Sequence, residues 1–240
     1  MSRFRIEQIT QKLEGREINE IHDSRFRESA VLVPIIKQKI NSENEEFAFI
    51  LTVRSKKLKK HSGEISFPGG KLESNESPIE AAIRETEEEI GIDRRHINVI
   101  GRCEPIITMT GFIINPVVAL VENSKFIVNK DEVENVLVVP FEFFTTTKSI
   151  KEHPYRIGDQ YIPFLSFDYI EKSIVNDVEK KENYHIWGAT AHIISMFFYE
   201  IFDVRLFSEE YKRPSSDKIL ELFDQVSELS QKELKKKHTV

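Results

Sequence analysis

Two hydrophobic periods alternate along the chain. The β-branched and aromatic runs Val31-Leu32-Val33-Pro34-Ile35-Ile36 and Phe47-Ala48-Phe49-Ile50-Leu51-Thr52-Val53 predict strands. Val99–Cys103, Ile113–Val121 and Val136–Val139 predict three more. A helical period predicts helices at about Pro78–Ile90 and Ile186–Phe202. After the break at Pro214-Ser215-Ser216, Ile219, Leu220, Phe223, Val226 and Leu229 recur at helical spacing, ahead of the basic run Lys235-Lys236-Lys237. Residues 1–29 are polar with scattered Phe4, Ile6, Ile9, Leu13, Ile18 and Ile21, and read as a helical or partly ordered leader. Strands mixed with a few helices, without regular βα alternation, favour an α+β or α/β/α sandwich over a doubly wound fold. The expected organisation is a leader over 1–29, one main domain over 30–207 and a C-terminal helical extension over 208–240.

Composition narrows the function classes. The 240 residues fit one large domain with extensions, at ~150 residues per domain. Forty acidic against 34 basic side chains leave a net charge of -6, which argues against a nucleic-acid binder. The single cysteine, Cys103, excludes an intrachain disulfide and a cysteine-built zinc site, and fits a reducing cytosol. No apolar run reaches the ~18 residues of a membrane helix. The start lacks an apolar stretch behind Arg3 and Arg5, and His238-Thr239-Val240 is not a peroxisomal signal. A cytoplasmic protein with no membrane and no nucleic-acid partner is expected.

The helix from Pro78 carries the chemistry. Ser77 and Glu80 make a capping box, Pro78 takes the first helical position, and Gly91 provides a left-handed stop. Ile79, Ala82, Ile83, Thr86 and Ile90 form the expected buried face. Glu85, Glu88 and Glu89 occupy a separate arc at i, i+3 and i+4, with no lysine at i+4 to neutralise them. A solvated acidic face is one reading. The other is a set of hard oxygen ligands for Mg²⁺ or Mn²⁺, next to the Gly69-Gly70 turn where backbone can approach closely.

Gly70, Glu76 and Arg84-Glu85-Thr86-Glu87-Glu88-Glu89-Ile90-Gly91-Ile92 resemble, in spacing, the box of the Nudix hydrolase superfamily, Gly-x5-Glu-x7-Arg-Glu-U-x-Glu-Glu-x-Gly-U with U apolar. Only Thr86 departs, at a position that carries no catalytic group. The resemblance implies a loop–helix–loop on an α/β/α sandwich with a mixed sheet, and metal-dependent hydrolysis of a nucleoside diphosphate linked to another group. It implies Glu85, Glu88 and Glu89 as metal-holding catalytic residues, with the carbonyl of Gly69, and Glu76 with Arg84 as the pair that fixes the loop and orients Glu85.

Upstream, Leu51-Thr52-Val53-Arg54-Ser55-Lys56-Lys57-Leu58-Lys59-Lys60-His61-Ser62-Gly63-Glu64-Ile65-Ser66-Phe67-Pro68-Gly69-Gly70 resembles the signature of the coenzyme A pyrophosphatase branch, with Glu64 where glutamine is usual. Gly111-Phe112, Asn115-Pro116, Asp131-Glu132-Val133 and Ile186-Trp187-Gly188-Ala189-Thr190-Ala191 look like that branch too. The likeness implies cleavage of coenzyme A (CoA) or a derivative into 3′,5′-ADP and 4′-phosphopantetheine. Arg54, Lys59, His61, Gly70, Phe112 and Glu132 are then substrate-binding candidates, Arg54 toward phosphate and Phe112 toward adenine. The lysine-rich loop suits a polyanion, or it is simply solvated. His61 and His185 read as turn or packing residues rather than catalytic ones, Trp187 as core at a helix start rather than a base-stacking platform, and Cys103 as filler rather than a nucleophile. The rivals are the same chemistry on ADP-ribose, dinucleotides or nucleoside triphosphates, and a catalytically silent Nudix module that binds a nucleotide or protein. The stripe of the last helix offers a surface for a partner or for a second copy of the chain, as in a homodimer.

Overall fold

The apolar runs pair into one sheet with a core on each face. The computed structural model describes residues 3–39, 45–59, 61–122, 125–146, 148–154, 156–157, 160–175, 178–211 and 214–237. Lys60, residues 238–240 and the side chain of Leu229, named above, lie outside the described residues. In chain order the elements are α1 (Ile6–Leu13), β1 (Arg27–Lys39), β2 (Glu45–Arg54), β3 (Ile65–Ser66), β4 (Gly69–Lys71), α2 (Pro78–Ile90), β5 (Ile97–Arg102), β6 (Ile106–Ile107), β7 (Phe112–Val121), β8 (Val133–Pro140), α3 (Phe141–Phe144), β9 (Ile150–His153), β10 (Arg156–Ile157), β11 (Gln160–Tyr161), β12 (Phe164–Val175), β13 (Val178–Ile186), α4 (Gly188–Phe202) and α5 (Ser216–Lys237).

The main sheet runs β3-β2-β1-β7-β5, with β8 also on β2, β4 on β1 and β6 on β7. It is mixed, because β1 and β7 are parallel and the other pairs antiparallel. One edge of β1 changes partner along its length: Ser29–Val31 pair with β4, and Ile35–Lys39 with β2. Pro34 lies between these two stretches, where an absent N–H costs least.

The period of two sorts side chains between the faces. Ala30, Leu32, Ala48 and Ile50 face α2 and pack with Ala81, Ala82 and Ile90. Val33, Ile35, Phe49 and Leu51 face the other way, into a core completed by α1, α3 and α4. Phe49 sits there among Phe67, Phe141, Phe144, Phe197 and Phe198, largely edge-to-face. The architecture is an α/β/α sandwich of α+β class.

Several expectations change. The polar leader contributes Phe4, Ile9 and Leu13 to the core, and Arg16 ties its exit to Glu104 and Glu200. A second sheet, β13-β12-β9, packs Leu165, Phe167 and Ile186 on the α4 side. Ile79 is 36% exposed instead of buried, and Trp187, expected in the core, is 50% exposed at the N-terminal boundary of α4. The stripe of α5 lies on its own chain: Ile219, Leu220 and Phe223 pack against Phe26, Ile107 and Ile113. Among the described residues, no helix is long and apolar enough to cross a membrane.

Because Ile9 is 0% exposed, Ile9→Ala should lower unfolding free energy by about 2–5 kcal/mol. Urea denaturation followed by circular dichroism measures this, and a change under half a kcal/mol would show that α1 does not dock.

Candidate active site

The site starts from the rigid placement of α2. Ser77 Oγ accepts from the Glu80 N–H at 3.3 Å while the Glu80 carboxylate accepts from the Ser77 N–H at 2.9 Å. At the other end Gly91 takes a left-handed conformation (φ 68°) and donates to the Glu87 carbonyl. Thr86 is fully buried without strain because its hydroxyl bonds the Ala82 carbonyl one turn back, at 2.7 Å.

Gly70 lets this helix press onto β4, and Gly69 lets β4 press onto β1. A methyl group added to Gly70 would overlap the Glu85 carboxylate, and one on Gly69 would overlap the Ala30 carbonyl. Glu89, in the same arc as Glu85 and Glu88, is only 2% exposed, and its carboxylate accepts from the Gly69 N–H at 3.4 Å. Arg54, at the end of β2, brings Nη1 to 3.8 Å from Glu89. Its Nε is buried with no hydrogen-bond partner among the described residues.

The glutamates are less alone than their spacing implies. Arg84 grips Glu76 with two bonds, Nε to Oε1 at 2.8 Å and Nη2 to Oε2 at 3.0 Å. Nη1 of the same guanidinium reaches Glu85 at 2.9 Å and Glu88 at 3.3 Å, and Nη2 also meets the Lys71 carbonyl at 3.1 Å. The expectation of a cluster without a counter-charge is therefore corrected: the cation stands at i−4 from Glu88, not i+4. Glu76 is held below the usual carboxylate range by Arg84, and Arg84 is raised in turn, chiefly by Glu76.

Burial acts in the opposite direction on the inner carboxylates. Glu85 is raised, first by burial, with Arg84 opposing and Glu88 and Glu132 adding repulsion. Glu89 is pushed up to about 8 by burial; Arg54 opposes this, while Glu85 and Glu132 reinforce it. Glu132 thus joins the field of the cluster, carried by a loop whose Asn129 N–H donates to the Glu89 carbonyl.

Other sequence candidates lie farther out. Lys59 is exposed. His61 has φ 57° and pairs with Glu64 through Nδ1 at 2.9 Å. Phe112, at the start of β7, has the Arg27 guanidinium 5.5 Å from its ring centroid. Sequence reasoning missed Asp131 as the 2.8 Å partner of Lys57, a tie that spans two loops and leaves no local signal.

Among the described residues, no three His, Cys, Asp or Glu side chains stand close enough together to hold a metal ion as placed, since Glu85 and Glu88 turn to Arg84. The donor chemistry still fits a hard divalent cation. Glu85, Glu88, Glu89 and the Gly69 carbonyl offer only oxygen, beside backbone that a Cβ would obstruct.

Residues 27–156, more than half of the chain, match the NUDIX domain family. The chain belongs to that family. A relative named "Uncharacterized Nudix hydrolase NudL" from Citrobacter koseri is 32% identical over 81% of this chain and 88% of its own. Another of that name from Salmonella paratyphi B is 32% identical over 70% and 79%. Among solved structures, a MutT/nudix family protein from Enterococcus faecalis aligns at 16% identity over 82% of this chain and 68% of that one, with a TM-score of 0.44. An Ap4A hydrolase from C. elegans aligns at 21% identity over 48% and 81%, with a TM-score of 0.39. This Nudix chain is a hydrolase of pyrophosphate-bond type, and β12, β13, α4 and α5 lie beyond its matched residues.

The raised Glu89 carboxyl has a signed consequence. Unfolded, it loses its proton near 4.5; folded and metal-free, only near 8, so in that window folding takes up a proton and stability falls as pH rises. Glu89→Gln should remove this dependence. In EDTA, its stability advantage over wild type should grow between pH 5 and 8 by at most about 1.4 kcal/mol per pH unit. Parallel urea curves for the two proteins would contradict it.

Proposed function

We propose that this Nudix hydrolase is Mg²⁺- or Mn²⁺-dependent and cleaves CoA or a CoA derivative at its diphosphate, giving 3′,5′-ADP and 4′-phosphopantetheine. The observation that carries the reading is the placement of Arg54 against the glutamate cluster. A guanidinium with a buried, unpartnered Nε stands 3.8 Å from a buried carboxylate, next to the half-buried backbone of a glycine pair. That arrangement suits a substrate that brings both phosphate oxygens and a bond to be hydrolysed.

Glu85, Glu88, Glu89 and the Gly69 carbonyl would hold the cation, which supplies charge cancellation and an acidified water. Arg84 and Glu76 fix the loop and set the angle of Glu85. Arg54 donates to a phosphate oxygen, and Gly70, whose missing side chain admits the Glu85 carboxylate, lets that carboxylate stand over β4 beside the diphosphate. Lys59 and His61 belong to a loop whose positive charge favours the extra 3′-phosphate of CoA, and Glu132 borders the same opening. Phe112 is a poorer platform for adenine than its position in the sequence suggests, because Arg27 already covers one face of the ring. A small-molecule substrate in the cytoplasm completes the proposal.

Purified chain with Mg²⁺ should convert CoA to the two named products when tested beside ADP-ribose, diadenosine compounds and dNTPs, with products identified by mass. Turnover of ADP-ribose with CoA untouched would reassign the substrate, and no turnover of any member would favour a binding module. Glu89→Gln should stay folded and lose about 10²–10⁴-fold in kcat, the scale of a catalytic acid–base group.

A further inference from the structure

Trp187 is the sole tryptophan of the chain, and half of it is exposed. Exposing a large apolar ring to water is unfavourable by an amount that grows with its area, so its position is informative. It stands at the corner where β13 passes into α4, in extended conformation (φ -149°, ψ -176°), with no side-chain capping bond of its own.

That corner is stitched at two points to β3 and β8, the strands that flank the end of β2. Thr190, in the first turn of α4, donates its hydroxyl to the Ile65 carbonyl at 3.0 Å. Asn135 Nδ2 donates to the Tyr184 hydroxyl of β13 at 3.0 Å. Ile65 and Asn135 are the two residues paired across the sheet with Val53, from opposite sides. The next residue is Arg54, whose N–H donates to the Glu64 carbonyl at 2.9 Å. The loop that follows Arg54 carries Lys56, Lys57, Lys59 and His61 and returns to β3 through Gly63 and Glu64. The corner bearing Trp187 therefore adjoins the end of that basic loop and the residue that reaches the glutamates.

We infer that Trp187 is a specificity-determining residue that stacks on the purine base of the substrate, with the adjoining basic loop taking the phosphate on the same nucleoside. This rests on the substrate reading above and deepens it, assigning the base to an element beyond the residues matched to the family. The chemistry agrees on both counts. An exposed indole offers a free π-face, whereas Phe112 has one face under Arg27. A lysine-rich loop beside an aromatic platform matches a nucleoside that carries its own phosphate, and neither group is needed by the pantetheine arm.

The test is steady-state kinetics of Trp187→Ala and Trp187→Phe on CoA with Mg²⁺, with inhibition by each product. For Trp187→Ala, KM for CoA and Ki for 3′,5′-ADP should rise about tenfold, within the range of losses seen when a base-stacking ring is truncated. Its kcat should stay within about twofold, a ground-state binding effect. Ki for 4′-phosphopantetheine should not move, and Trp187→Phe should recover most of the loss. As a second readout, saturable quenching of the intrinsic tryptophan emission by 3′,5′-ADP but not by 4′-phosphopantetheine supports the stack. An unchanged Ki for 3′,5′-ADP in Trp187→Ala, with wild-type CoA turnover intact, overturns the role of Trp187 alone. Absence of CoA turnover in the wild type overturns the substrate reading and this inference with it.

Discussion

How closely α2 can lie against β4 is set by the absence of one side chain, at Gly70. At Gly70 the Glu85 carboxylate fills the space that a β-carbon would otherwise take, while Gly69 makes room for β1 and offers its N–H to the Glu89 carboxylate. Everything polar about the site follows from that approach. It removes Glu89 from water and puts the Gly69 amide within reach of it. A helix held one methyl farther out would keep the same glutamates as an ordinary solvated face.

Crowding negative charge on one side of a helix is unfavourable, and the structure offsets it with two arginines placed differently. Arg84 neutralises the outer part, bound on both edges by Glu76, Glu85 and Glu88. Arg54 approaches the inner part from the sheet and stops short of a bonded ion pair with Glu89. The first has its hydrogen-bonding capacity satisfied by the protein and acts as a strut. The second keeps a buried donor in reserve. A burial penalty on Glu89 that only its surroundings can relieve is consistent with a site built to accept positive charge from outside.

How much of this could be read in advance depends on whether the signal was local. Ser77, Glu80, Pro78 and Gly91 state the ends of α2 within a few residues, and the spacing of Gly70, Glu76 and Arg84 to Glu89 is intact in the sequence, so the helix and the family were legible. The depth of Glu89 was not legible, because helical periodicity takes no account of the strand below the helix. The β12–β13 hairpin was hidden by composition: Glu171, Lys172, Lys180, Lys181 and Glu182 mask the alternation that Phe167 and Ile186 begin. In the leader, Phe4, Ile9 and Leu13 were visible as apolar, but nothing local says that they dock on α4 and β5. Trp187 was assigned to the core from residue type alone, and tertiary placement overrode that preference.

The docking of α5 joins the two ends of the described chain. Phe26 and Phe223 meet with ring centroids 4.6 Å apart, and Arg25 bridges Asp23 and Asp224. This contact belongs to a small apolar cluster separate from the two that flank the sheet. During synthesis Phe26 must wait for every element from β1 to α4 to emerge before Phe223 exists. A contact of such long sequence separation forms late and contributes little until the rest is in place. Once formed, its few buried side chains make it an opening unit of its own, able to detach while both main cores stay closed.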